Sequence, residues 1–407
     1  MLNLRQILGG SPGRWFVSTR GISTGLALAL ALSYTKFLGV DKRSILAFIM
    51  VSAVILAFVF TSGISLALRN QRPKEIEDSE LFGYLFLILI AGLTAATMNC
   101  ALLAFYSYLK TGLPGTIYVV CFIYSFFACL HMGCQDALIA KGKLKIATFF
   151  DFITVLIQIT TLTFFLNIEQ TSLFVSVLIA FIFSYALISF AAAAILLTSM
   201  HLDAKLLSKG IKSILHKSRK QHLFGIANSL VDRIDRFVIG LLMPISFLAK
   251  YALLSSVISF ARFFPDAIAK LNLLKHHEGE FKAVTPFGRG NLALLFLASI
   301  ILVLSTQAFI NLVFGQAWLL PLSVGFLLIF QEILRSSYQL KAVKLIALGG
   351  KSEVSKISLL LIVLVVVLIV IGTILFGIWG SPIAMALAYL ILILLINTKT
   401  KKFLNAK

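Results

Sequence analysis

From Trp15 to Asn397 the sequence returns repeatedly to apolar runs of about twenty residues, separated by short polar turns. A helix of that length crosses the ~30 Å hydrocarbon core of a bilayer at ~1.5 Å per residue, with its internal backbone bonds made within the segment. The first run, Gly21–Gly39, follows Arg5, Arg14 and Arg20 and is superficially like a signal peptide. Its apolar character already begins near Trp15, too early for a short secretory core, so it is read as a retained span. Further spans are expected at about Ser44–Leu68, Leu81–Tyr108, Leu113–Leu138, Leu144–Leu166 and Ser172–Ser199. The second half adds His222–Met243, Phe247–Leu274, Asn291–Phe314, Trp318–Leu348, Val354–Phe376 and Trp379–Asn397. With 59% hydrophobic residues, 13% charged residues and a mean hydropathy of +1.00, a soluble core of 407 residues could not hide the apolar surface. The expected fold class is an all-α polytopic membrane protein, with about 12 transmembrane helices in two six-helix lobes around a central cavity.

A formal charge of +20 would ordinarily suggest nucleic acid, yet the bases are spread over inter-span loops rather than gathered in a basic domain. No nucleic-acid partner is expected. Arg69, Arg72 and Lys74 follow the second span, and Lys141, Lys143 and Lys145 follow the fourth. Lys205, Lys209, Lys212, Lys217, Arg219 and Lys220 follow the sixth, while Lys270, Lys275, Lys282 and Arg289 follow the eighth. Lys341, Lys344, Lys351 and Lys356 flank the turn after the tenth, and Lys399, Lys401, Lys402 and Lys407 end the chain. The alternate loops hold only Lys42, Arg43, Lys110 and Lys250. Positive-inside bias therefore places both termini in the cytoplasm. The least apolar stretch, 201–221, is read as a basic cytoplasmic linker between an N-terminal lobe at 12–200 and a C-terminal lobe at 222–397. Halves of the same parity imply repeats related by an axis along the membrane normal, with a substrate site between them.

Charges inside the spans narrow the function. An ionised group facing lipid costs roughly 2.5–3.5 kcal/mol on insertion scales, so each must face protein or a wet cavity. On a helix Asn228, Asp232, Asp235, Arg236 and Ile239 share one face of the seventh span, and Ser255, Ser259, Arg262 and Asp266 share one of the eighth. Glu332, Arg335, Ser336 and Gln339 do so in the tenth. By residue count Glu332 and Arg335 lie about 21–26 Å and Arg262 about 22 Å from the external ends of their spans, and Asp232 to Arg236 about 15–21 Å from the cytoplasmic end of theirs, so the charges gather from the midplane towards the cytoplasm. Arg20, Arg236, Arg262 and Arg335 are candidates to bind an anionic substrate, because guanidinium groups take phosphates in bidentate fashion. Asp235, Asp266 and Glu332 are candidates for coupling to a proton or other cation. The structural alternative is helix-to-helix pairing, Asp232 with Arg236 and Arg262 with Asp266. Asp136 and Asp151, near span ends, are read as solvated interface residues.

Cys100, Cys121, Cys129 and Cys134 lie in apolar segments and read as small packing residues. Cys129, His131 and Cys134 fit no zinc spacing and no second pair follows, so no metal is expected. Gly350-Lys351-Ser352 ends like a phosphate-binding loop, but Leu345 stands where the pattern needs glycine. Gly349 and Gly350 instead let the turn between two spans reverse. No cofactor is expected, and with external loops of a few residues no catalytic site, so the chain is not read as an enzyme.

The run Asn228-Ser-Leu-Val-Asp232-Arg-Ile-Asp235-Arg-Phe-Val-Ile-Gly240, followed by Ala249-Lys-Tyr251-Ala-Leu and Pro265-Asp-Ala-Ile, resembles the polysaccharide-biosynthesis (O-antigen type) flippases of the MOP exporter superfamily. Arg20-Gly-Ile, Phe37-Leu-Gly39, Leu312-Val-Phe314-Gly315 and Gly377-Ile-Trp-Gly380-Ser-Pro-Ile-Ala384-Met-Ala386 fit the same pattern. The resemblance implies two six-helix lobes in the bacterial inner membrane that rock between inward- and outward-open states. It implies that they flip a polyprenyl-diphosphate-linked oligosaccharide to the outer leaflet, with Arg20, Arg236, Arg262 and Arg335 at the headgroup by position. Partners would then be the lipid-linked oligosaccharide, membrane lipid and other polysaccharide-assembly proteins. A cation-coupled exporter of small organic molecules, of the multidrug type, is the alternative, although a cationic substrate would meet like charges at these arginines. A membrane-embedded polymerase or glycosyltransferase is a third reading.

Overall fold

The structure, a computed structural model, describes residues 11–71, 73–110, 112–166, 172–198, 204–219, 226, 230–231, 233–259, 289–348 and 350–405. Its regular elements are all helical among the described residues. The order is α1 Ser11–Arg69, α2 Asp78–Lys110, α3 Gly115–Ala140, α4 Leu144–Leu166, α5 Leu173–Leu197, α6 Ala204–Ser218, α7 Ile234–Leu242, α8 Ile245–Ser259, α9 Arg289–Phe314, α10 Leu322–Ala347, α11 Lys351–Phe376 and α12 Gly380–Asn405. Six helical stretches among the described residues are long and apolar enough to cross a membrane, and Ser18–Arg69 and Ser352–Lys402 each have length for two crossings. The long helices thus stand where the apolar runs are.

Two places depart from the periodicity. The helix expected over 222–243 does not run through: Val231 and Arg233 lie in turn, and α7 begins only at Ile234. The Asp235 carboxylate accepts the Arg236 backbone N–H at 2.7 Å, a short-range bond that competes with helix propagation and suits a first turn. The stretch read as a linker, 201–221, contains a 15-residue helix, α6, and that helix is docked rather than solvated.

The chain divides into two compact units, 22–237 in one and 1–21 with 238–407 in the other, so α6 belongs to the first. In the 22–237 unit α1 breaks at Gly39, whose φ of 73° is one that side-chain-bearing residues rarely adopt. Arg43, read as an external loop charge, is instead buried: its Nε donates to Thr35 Oγ1 at 2.8 Å and its Cζ lies 5.2 Å from the Tyr34 ring centroid. The turn brings back the partners that make that burial affordable. Tyr84 is fully buried and donates to the Gly133 carbonyl at 3.0 Å, with Ser65 Oγ at 2.9 Å. Gly133 leaves room for Ile88, whose Cγ2 would lie 2.5 Å from an added Cβ.

The basic end of this unit is cross-braced. Lys141 donates to the Ile76 carbonyl at 3.0 Å and Lys143 to the Ile195 carbonyl at 3.4 Å, the latter at the negative end of α5. Arg69 pairs with Asp136 at 3.2 Å. α6 then docks on the start of α2. Glu80 is buried and takes bonds from Ser213 and Lys217; Lys209 pairs with Glu77 at 2.9 Å; Ile214 is fully buried. A Cβ on Gly210 would stand 1.7 Å from the Ser79 carbonyl oxygen, so two backbones touch there.

The other unit is closed by α10, α11 and α12. Gly380 packs backbone to backbone on Gly372, where a Cβ would fall 1.8 Å from the Gly372 oxygen. Trp379 Nε1 donates to Ser323 Oγ at 2.8 Å, and Tyr338 shares a 3.3 Å bond with Ser358. Lys341 donates to Asn397 at 2.7 Å, while Glu353 pairs with Lys399 at 2.6 Å and Lys356 at 3.3 Å.

Candidate functional site: buried polar groups in two units

Arg262 and Asp266 lie outside the described residues, as do Asp232 and Asn228, so the pairs expected there carry no geometry. Arg20, on the first arm of α1, is partly buried and belongs to the same unit as 238–407. Arg335 is 5% exposed and Glu332 partly buried one turn earlier on α10, with Gln331 and Ser336 buried beside them. The Gln331 Oε1 is buried with no hydrogen-bond partner among the described residues. Arg20, Glu332 and Arg335 therefore fall in one unit, while Asp235 and Arg236 fall in the other.

At the start of α7, Asp235 is 5% exposed and engages the Arg236 backbone. The Arg236 guanidinium is only half-buried, yet its Nε is shielded from solvent and has no hydrogen-bond partner among the described residues. A buried donor left unpaired costs about 1–3 kcal/mol, more when charged, so this atom is poised for an acceptor.

A second polar face was not singled out from the sequence. On α3 the positions Tyr124, Ala128, His131 and Gln135 follow a spacing of four, three and four, one stripe of a helix. Tyr124, Phe181 and Tyr185 form a mutually packed aromatic group, with centroids 5.9–6.4 Å apart, and Tyr34 joins it through Phe181 at 6.4 Å. His131 stacks on Tyr185 at 4.8 Å. The Gln158 side chain is within hydrogen-bonding reach of the Tyr185 hydroxyl, and Arg233 is close enough to act electrostatically on both Tyr124 and Tyr185. The His131 Nδ1 and both amide atoms of Gln135 are buried without a hydrogen-bond partner among the described residues. The signal was available: a histidine and a glutamine one turn apart within a span, aligned with a tyrosine. It is masked by Cys129 and Cys134, which draw attention to metal chemistry. Among the described residues no three His, Cys, Asp or Glu side chains gather to hold a metal ion.

No family model and no curated relative matches the sequence. Solved structures do match the fold over nearly the whole chain. A multidrug resistance MATE family transporter of the MOP superfamily, in an inward-facing conformation, superposes with a TM-score of 0.61 at 13% identity, covering 97% of this chain and 99% of that one. The lipid II flippase MurJ, in an inward closed conformation, gives 0.63 at 13% identity over 95% and 87%. A MOP superfamily transporter from Pyrococcus furiosus, described as having a binding pocket of reverse polarity, gives 0.53 at 15% over 98% of both chains. The chain therefore has the all-helical fold seen in MOP superfamily transporters.

Proposed function

We propose that this chain is an alternating-access transporter that flips a polyprenyl-diphosphate-linked oligosaccharide from the cytoplasmic to the outer leaflet of a bacterial inner membrane, for surface polysaccharide assembly. The observation that carries the reading is Arg236, a cation in the first turn of the apolar helix α7 with a shielded Nε that no described residue satisfies. A diphosphate supplies the missing acceptor and neutralises the charge. Arg335, at 5% exposure, and Arg20 and Arg262 complete the proposed headgroup set. Asp235, Asp266 and Glu332 are proposed to exchange the coupling proton or cation as access alternates. The halves at 12–200 and 222–397, joined through 201–221, are proposed as the moving lobes, with both termini cytoplasmic.

The fold supports a second reading, because it is shared by a multidrug resistance transporter as well as a lipid II flippase. In that reading Asp235, buried at 5% exposure, would meet a small organic cation. One experiment separates the two. Lipid-linked intermediates and surface polymer are assayed in a deletion strain complemented with wild type or Arg236→Gln, alongside drug susceptibility of an overexpressing strain. Flipping requires intermediates trapped on the cytoplasmic face in the deletion and in the variant. Normal polymer in the deletion, with drug resistance rising on overexpression, overturns it in favour of export.

A further inference from the structure

We infer that the His131–Gln135 face of α3, backed by the Tyr124, Phe181 and Tyr185 rings, is a saccharide-binding subsite. The inference rests on the transport reading above and adds a place for the uncharged part of the cargo, distinct from the arginines. Gln135 is 8% exposed, yet neither its amide nitrogen nor its oxygen has a hydrogen-bond partner among the described residues. One turn away the His131 Nδ1 is in the same condition. An apolar occupant would leave all three atoms unsatisfied, at about 1–3 kcal/mol each.

The chemistry of these groups selects the ligand. A primary amide offers a donor and an acceptor side by side, which suits two neighbouring hydroxyls, each able to give and to receive. A neutral imidazole adds one more of either kind. Next to them stands Tyr185, with His131 stacked on it and Tyr124 and Phe181 packed against it, so the ring group holds the polar stripe in place. No carboxylate shares the 124–128–131–135 stripe, and the two charges that act on Tyr185, Arg233 and Asp151, are of opposite sign, so the face selects by hydrogen bonding rather than by charge. Position agrees as well. His131 and Gln135 lie nine and five residues before Ala140, about 14 and 8 Å from the basic end of α3. A cargo entering from the cytoplasmic leaflet would reach that end first.

The test uses the purified full chain in detergent and three probes: bare undecaprenyl diphosphate, undecaprenyl-diphosphate-linked saccharides extracted from the cells that express the chain, and the free saccharides released from that extract. Binding is followed by thermophoresis for wild type, Gln135→Leu and His131→Phe, the last keeping the ring stack. The saccharide-bearing lipid should bind wild type at least about tenfold more tightly than the bare lipid, and either variant should erase that excess while leaving bare-lipid affinity unchanged. Thermal unfolding serves as the control: both variants should melt at or above the wild-type temperature, because each removes an unsatisfied buried group. Equal binding of both lipids, or an excess that survives both variants, overturns the subsite and leaves the flippase reading standing. Free saccharide that binds through Gln135 while neither lipid binds sinks the flippase reading and keeps the subsite. Absence of all binding overturns both.

Discussion

At the scale of single residues, the fold is held by buried charges that find partners far away in sequence. Glu80 is the clearest: buried at 4% exposure, it accepts from Ser213 and from Lys217, 137 residues later. Glu80→Ala leaves a half-exposed ammonium and a hydroxyl without their acceptor and should destabilise the protein by about 1–3 kcal/mol, read as a lower melting temperature in detergent. Adding Lys217→Met should recover much of that loss, since the charge stranded by the first change is gone. A loss unchanged in the double variant would mean that Glu80 acts through packing alone. Arg236 calls for the opposite outcome: Arg236→Gln should leave melting within about 1 kcal/mol of wild type and lower flipping at least about tenfold, measured as lipid-linked saccharide reaching the outer leaflet. These buried groups were unequally legible. Arg236 stood out because a charge in an apolar run is rare; Glu80 did not, because nothing near it in sequence announces Ser213 or Lys217. Arg43 was misjudged for a different reason: its partners are near in sequence, but its burial depends on Gly39 turning the chain so that Tyr34 and Thr35 come back to it.

At the scale of elements, hydropathy located the long helices but not what joins them. A run of apolar residues fixes length and lipid exposure, whereas the break at Val231–Arg233 arises from local competition for backbone bonds, to which a hydropathy count is blind. Likewise 201–221 reads as a solvated linker by composition, yet α6 within it is amphipathic, and Ile214 and Gly210 make its inner face. Gly210→Ala tests that docking. In an isolated helix the change gains about 1 kcal/mol, but here the new methyl would meet the Ser79 carbonyl at 1.7 Å. The expected result is net destabilisation and faster proteolytic cleavage around 204–218. The same helix should respond to acid. Lys209, by hydrogen bond and then by charge, and Ser79 hold the Glu77 carboxyl below its ordinary value of 4.5. A lowered carboxylate favours the docked state; that contribution is complete above the ordinary value and is lost as pH falls through the lowered one. Cleavage within α6 should therefore rise only once pH falls below the ordinary carboxylate value and through the lowered one, and high salt should raise it at neutral pH, because the pair is exposed.

At the scale of the whole molecule, the class of fold was readable because lipid imposes so few solutions: an apolar chain of this length must be a bundle of spanning helices. The charge alternation of the loops adds a direction, and it can be checked. Single cysteines placed at Lys74, Lys145 and Lys212 should be labelled by an impermeant reagent only after the cytoplasmic side is opened, and one at Lys110 in intact spheroplasts. The stripe of Tyr124, His131 and Gln135 on α3 was present in the sequence, but it gains meaning only when α5 brings Phe181 and Tyr185 against it. The docking of α6 carries one further consequence, for biosynthesis. Its described contacts, with Gln71, Glu77, Ser79, Glu80 and Gly83, all precede it in the chain. As the ribosome releases α6, these described residues that it grips have already been made. The early helices can thus be locked together while the later ones are still being translated, so that assembly proceeds in two instalments, with α6 as the catch that closes the first.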